Sequence, residues 1–311
     1  MKSYLKFLIM TLVSAVMIFE VIVLGILKYP ADVFHSSWQS LIQDKYRLLK
    51  ETNDPKMIVV SGSSSAFGLD QKMLEDASGY KVVNLGLHAG FGHMFYSELA
   101  KENINAGDIV LLGYEYNWPT EMDNLDPALI MSGIDNDIEM YTHIPVKKWP
   151  DFIGYIFKYA ETKNEYTEAT GLYSREAFDS ETTQLTMERD YSIEYDVQRD
   201  GTVQDIKDVV IDEKVIKYLK KYKEYMEKKG ASVYFIAPPI LADGIPYDYD
   251  EFDKLKHQEE TRLGIPYISN PLDYIFPCEL MSNSVYHCNS QGEKVRTELL
   301  IGDLRRAAVI E

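Results

Sequence analysis

Four stretches of this chain are continuous apolar runs that stop at small or turn-forming residues: "KMIVVSG" (56–62), "YKVVNLG" (80–86), "DIVLLGYEY" (108–116) and "ASVYFIAPP" (231–239). "IPYIS" (265–269) is a weaker fifth. A strand with one face in water alternates apolar and polar residues, whereas a strand covered on both faces reads as an unbroken hydrophobic run. Helical patterns lie between these runs. In 213–229, Val215, Leu219, Tyr222 and Met226 share one face, Asp212 is placed to cap the start and Gly230 to end the helix. Strands alternating with helices predict an α/β fold, a flavodoxin-like parallel sheet of about five strands with helices on both faces. The 311 residues suffice for one such domain with a sizeable core.

The N-terminus obeys a different constraint. Phe7 to Leu27 is a run of 21 almost wholly apolar residues, the length of a helix that crosses a hydrocarbon core. Lys2 and Lys6 precede it, which predicts a cytoplasmic N-terminus and an exported remainder. A cleaved signal peptide shares the charged start, but the run is long and no A-x-A-like site follows, so an uncleaved signal anchor over 1–28 is the better reading. Glu20 within the span is read either as protonated or snorkelling in a single helix, or as a contact with a partner membrane protein. Residues 29–55 read as a stalk with a short helix, and 56–311 as the domain. Within it, about 118–207 breaks the strand–helix rhythm: it is polar, rich in Tyr and acidic residues, with a hairpin expected at "YDVQRDGTV" (195–203) on Asp200-Gly201. It reads as an insertion after the third strand that forms a lid or a partner surface.

Charge and cysteine content exclude several functions. The formal net charge is −17, with 49 acidic against 32 basic residues, which disfavours nucleic acid and broad adhesion to anionic lipid. Cys278 and Cys288 either pair in an oxidising compartment or stay as two thiols. No C-x-x-C or clustered His/Cys spacing suggests a metal, and no cofactor is expected. A nucleotide-binding role is poorly supported, because neither G-x-x-x-x-G-K-[ST] nor G-x-G-x-x-G follows the first strand.

In open parallel sheets ligands bind beyond the carboxyl ends of the strands, so the residues just after each apolar run matter most. "VVSGSSSAFGLD" (59–70) is a strand running into a Gly-Ser turn, where a hydroxyl can be exposed beside backbone N–H groups, the combination acyl transfer needs. Ser-rich turns after strands are also commonly structural. "NLGLHAGFG" (84–92) places glycines after the second strand, where backbone can approach a ligand; a tight strand-to-helix connection explains them equally. His88 and His93 in this loop read as polar loop residues. Near the C-terminus, "SVYHCNSQGEKVRTELL" (284–300) offers His287 just before a helix that Ser290 and Glu293 would close with a capping box.

A Ser turn after the first strand, a Gly loop after the second, a polar tip after the third and a His loop before the last helix together resemble the SGNH (GDSL-like) hydrolase superfamily, over most of 56–308 apart from the insertion. "GSSSAFG" (62–68) is similar to that family's "GDSxTxG" block, which implies Ser64 as nucleophile. Ser63 is the alternative, because some membrane-anchored relatives carry "GSS" with the first serine in that role. The resemblance implies oxyanion donors at the N–H groups of Ser64 and Gly86. "YHCNSQG" (286–292) resembles the histidine block, which makes His287 the base. Two departures stand out. Glu115 occupies the place of the family's "G-x-N" asparagine, with Asn117 two residues later, and an ionised carboxylate cannot donate the oxyanion hydrogen bond that Asn117 can. Asn283 stands four residues before His287, where relatives carry Asp; it can hold the imidazole tautomer without stabilising imidazolium, leaving Glu115 or Asp273 as candidates for the missing acid. The implied function is a membrane-anchored extracytoplasmic serine esterase or O-acyltransferase acting on acyl groups of cell-envelope polysaccharide. Its implied partners are an acyl donor or acylated glycan and, among such relatives, a membrane-bound O-acyltransferase. The competing expectation is a catalytically weak or inactive module of the same fold that binds polysaccharide or scaffolds an envelope complex.

Overall fold

The computed structural model describes residues 2–165, 168–189 and 205–311. Strands β1 (Lys56–Ser61), β2 (Lys81–Asn84), β3 (Ile109–Gly113) and β4 (Ser232–Phe235) form a parallel sheet in the order β2-β1-β3-β4. Val59 lies beside both Asn84 and Leu111, so the carboxyl ends of β1, β2 and β3 finish at one edge. The weak fifth run is not a strand. It contributes one parallel bridge, Tyr267 to Phe235, with Phe235 N–H donating to Pro266 O at 2.8 Å and Ile268 N–H to Phe235 O at 3.0 Å. A separate parallel pair joins β5 (Ile240–Leu241) to β6 (Ile275–Phe276).

Alternate strand residues enter two cores, which is why the runs are unbroken. Ile58, Val60, Val110 and Leu112 pack with helices of one side, among them α2 (Leu41–Glu51), α5 (His93–Leu99) and α8 (Glu213–Lys228). Met57, Val59, Ile109 and Leu111 pack with Leu74 of α4 (Gln71–Ser78) and with Leu300 and Leu304 of the last helix, α9 (Ser290–Arg306). The remaining labels are α1 (Lys2–Lys28), α3 (Ser63–Ala66), α6 (Pro127–Ile134) and α7 (Trp149–Thr162). The face expected of α8 is the one buried, and Gly230 follows it at φ +89°. Asp212 precedes α8 but its side chain makes no cap hydrogen bond.

Residues 29–55 do not behave as a free stalk. Trp38, Leu41, Ile42, Tyr46 and Leu49 are buried, and burying Leu41, Ile42 and Leu49 alone is worth about 1.5–3 kcal/mol each. Their partners come from the insertion: α2 packs on α6, and Gln43 Nε2 donates to Gly133 O at 2.9 Å. Helix α2 also packs on β2, so the segment lies between the sheet and the insertion. The hairpin expected at 195–203 lies outside the described residues. Helix α1 is long and apolar enough to cross a membrane, and nearly all of its side chains are exposed.

Candidate active site

The strand ends bring the four sequence blocks to one edge of the sheet. After Ser61 and Gly62 the chain turns into the single turn α3, and its three serines take different environments. Ser64 is fully buried, with its Oγ 2.9 Å from Ser61 Oγ, while Ser61 Oγ lies 2.6 Å from Gly113 O. Ser65 is also buried and donates to Asn84 Oδ1 at 2.9 Å. Ser63, the first residue of the turn, is half-buried, and its hydroxyl makes no hydrogen bond among the described residues.

Neither expected oxyanion donor is open. The Ser64 N–H donates to Glu115 Oε1 at 2.9 Å, and the Gly86 N–H donates to Asn84 Oδ1 at 3.0 Å. Glu115 therefore acts as an acceptor under the serine turn. Gly62 is required there, because a Cβ would lie 2.4 Å from Glu115 Oε2. That second oxygen is buried without a hydrogen bond, 3.5 Å from His93 Nε2. His93 Nε2 is also 3.0 Å from Asn117 Oδ1, and Asn117 Nδ2 is 3.5 Å from Glu121 Oε2. Burial holds the His93 imidazole below its usual pKa.

His287 is buried, and its Nδ1 lies 2.9 Å from Asn283 Oδ1. An amide oxygen only accepts, so Nδ1 carries the proton and Nε2 keeps its lone pair. Asn283 Nδ2 in turn donates to Tyr173 OH at 2.7 Å. Burial, with the Arg189 guanidinium as a cationic neighbour, pushes the His287 pKa down to about 3. The other proposed orienters lie elsewhere: Asp273 Oδ1 accepts from Asn270 at 3.0 Å, and Glu115 serves Ser64 N–H. The His287 ring sits 4.3 Å from that of Phe67, whose N–H donates to Ser63 O at 3.0 Å, so the histidine loop meets the serine turn.

An aromatic wall surrounds this junction. Trp38 lies 5.1 Å from Phe67, 5.5 Å from Tyr173 and 5.7 Å from His88, centroid to centroid. Phe178 is 6.2 Å from Phe67. His88 is a local cap, its Nδ1 accepting from Gly90 N–H at 2.9 Å. From beneath, the fully buried Arg296 of α9 donates through Nη1 to Ser64 O at 2.6 Å and Gly68 O at 3.1 Å. The start of α9 is capped one residue earlier than the sequence suggests. Asn289 Oδ1 accepts from Gln291 and Gly292 at 3.1 and 2.9 Å, because Asn289 is the last extended residue. Ser290 Oγ accepts from Arg189 N–H at 2.8 Å and Glu293 pairs with the Arg189 guanidinium. Cys278 and Cys288 are both thiols, and burial pushes Cys288 up to about 12.

Sequence reasoning missed Trp38, Tyr173, Phe178, Arg189 and Arg296. A tryptophan within an otherwise polar segment was the available indication for the first. Among the described residues no group of three or more His, Cys, Asp and Glu side chains is arranged to hold a metal ion. A surface cleft of about 870 Å³ lies between α4 and α9, lined by Lys72, Met73, Gln184 and Arg305, apart from the residues of this cluster. Compared with known proteins, the chain matches no protein-family model and no curated protein.

Proposed function

We propose that the protein is a membrane-anchored, SGNH-like serine esterase or O-acyltransferase, and that Ser63 rather than Ser64 is its nucleophile. The single observation that carries this reading is the His287 Nδ1–Asn283 Oδ1 contact of 2.9 Å in the loop that meets the serine turn. It fixes the tautomer a general base requires. Of the three serines, Ser64 and Ser65 have hydroxyls engaged by Ser61 and Asn84, which leaves Ser63.

In the forward step the Ser63 O–H bond breaks, its proton passes to His287 Nε2, and Oγ bonds the acyl carbonyl carbon. The tetrahedral intermediate collapses as the leaving oxygen takes that proton, giving acyl-Ser63. Water or a glycan hydroxyl then attacks the acyl group, with His287 repeating the relay. An imidazole with a pKa near 3 accepts a proton reluctantly, and Asn283 offers no charge to offset the imidazolium. Turnover should therefore be slow. The long apolar run Phe7–Leu27 of α1, preceded by Lys2 and Lys6, supports an N-terminus in the cytoplasm and a domain outside it. Acyl groups of envelope polysaccharide are the substrate class this location favours, and a membrane-bound O-acyltransferase is the partner it suits.

One observation favours the non-catalytic alternative. The Glu115 carboxylate occupies the Ser64 N–H that an oxyanion would use. Fluorophosphonate labelling of the full chain in detergent separates the two. Labelling of wild type and Ser64→Ala with loss in Ser63→Ala supports the enzyme; a folded wild type that never labels supports the binding module.

A further inference from the structure

Helix α7 buries Phe152, Ile156 and Tyr159 against the domain, yet the exposed flank next to that face is apolar too, with Asp151, Lys158 and Glu161 beyond it. Val146 in the preceding turn, Ile153 and Phe157 are 82%, 46% and 56% exposed, and Pro150 between them is exposed as well. Together with Ala160 these positions recur at spacings of three and four, which places them on one stripe of the helix. The stripe runs into α1. Ala160, Lys163 and Asn164 line a groove of about 370 Å³ shared with Ile22, Gly25, Ile26 and Tyr29.

Buried polar bonds fix that junction. Lys163 Nζ donates to Ile26 O at 2.9 Å and to Tyr29 O, and it pairs with Asp135 Oδ1 at 3.0 Å. Asp135, fully buried at φ +37°, also accepts from Ala31 N–H at 2.9 Å and Tyr159 OH at 2.6 Å. A non-glycine residue at positive φ is costly and persists where its surroundings over-determine it. The end of α1 and the end of α7 are thus one unit.

Depth follows from length. The apolar run Phe7–Leu27 is about 31 Å long at 1.5 Å per residue, close to the roughly 30 Å hydrocarbon core. Ile22 and Gly25 fall in its last two turns, so a helix touching them lies at the edge of the lipid. Resting on the reading that α1 spans the membrane, we infer that the exposed stripe of α7 is a second, in-plane membrane contact, with Ile153 and Phe157 seated in the lipid interface. The negative charge of the whole chain does not oppose this, because the contact is made by apolar area and the nearby lysines are balanced, Lys147 by Asp123 at 2.6 Å and Lys158 by Glu161 at 3.2 Å.

Nitroxide labels test this in the full chain, with Cys278→Ser as background, reconstituted in phosphatidylethanolamine–phosphatidylglycerol vesicles. Phe157→Cys and Ile153→Cys report the stripe, Val16→Cys reports α1, and Val210→Cys, exposed on the segment before α8, serves as the water reference. Labels at 153 and 157 should collide with oxygen in preference to a nickel chelate, at a depth of about 5–10 Å below the headgroup boundary. A water pattern at both, with Val16 still in lipid, overturns the inference. Exclusion of both quenchers at 153 and 157 overturns it in favour of a protein contact. A water pattern at Val16 removes the spanning helix and this inference with it, while leaving the Ser63 chemistry standing.

Discussion

His287 is an imidazole whose partner is an amide, and an amide orients a ring without stabilising its charge. Replacing Asn283 with Asp adds the missing charge at the same 2.9 Å position. Esterase turnover on a small acetyl ester should rise by about ten- to a hundredfold, within the ~10⁴-fold scale known for an orienting aspartate in serine proteases. An unchanged rate would remove His287 from the proton relay. Protonation also bears on stability. The folded imidazole sits at about 3 while an unfolded one titrates near 6.5, so between those values the unfolded chain binds a proton that the folded chain refuses. Above pH 6.5 both forms are neutral and nothing is lost; as pH falls below it, stability declines. By pH 4.5 this one group costs up to about 3 kcal/mol, and urea unfolding of His287→Phe should lack that share of the acid sensitivity. The position of Asn283 was legible from its spacing to His287. Which of the serines has a hydroxyl engaged by a neighbour was not, because consecutive serines differ only in which way one helical turn points them.

Within the elements, the serine turn is held by its neighbours more than by its own sequence. Gly86 has no room for a side chain: a Cβ would lie 1.9 Å from Ser65 Oγ and 2.6 Å from Gly62 O. Gly86→Ala should therefore destabilise by about 1–3 kcal/mol, read as a lower urea midpoint. Arg296→Met should cost about 2 kcal/mol or more, because Ser64 O and Gly68 O lose their buried donor. Its fluorophosphonate labelling should slow as well, with Arg296→Lys recovering part of both; unaltered labelling would confine Arg296 to a structural role. The strands were readable because burial on both faces leaves a local mark, an unbroken apolar run. The packing of 29–55 was not, because Trp38 packs between Phe67 of the serine turn and Tyr173 and Phe178 of the insertion, all far away in sequence. The cap of α9 was misread by one residue for a related reason: Ser290 is drawn away by the Arg189 backbone.

For the whole molecule, the export reading predicts that protease added to intact spheroplasts degrades the domain and spares only the segment around α1; full protection would reverse the topology. The α/β class and the long apolar helix were both visible in the chain, since each is a matter of run length. What lay hidden was how the two are joined. Lys163 and Asp135 clamp the foot of the helix to the domain where a stalk with a short helix was expected. On the reading that α1 spans a membrane, a hinged domain would sweep a hemisphere, whereas a clamped one would keep a single height and tilt. Its encounters would then become a search across a plane, closed to anything above or below that one level.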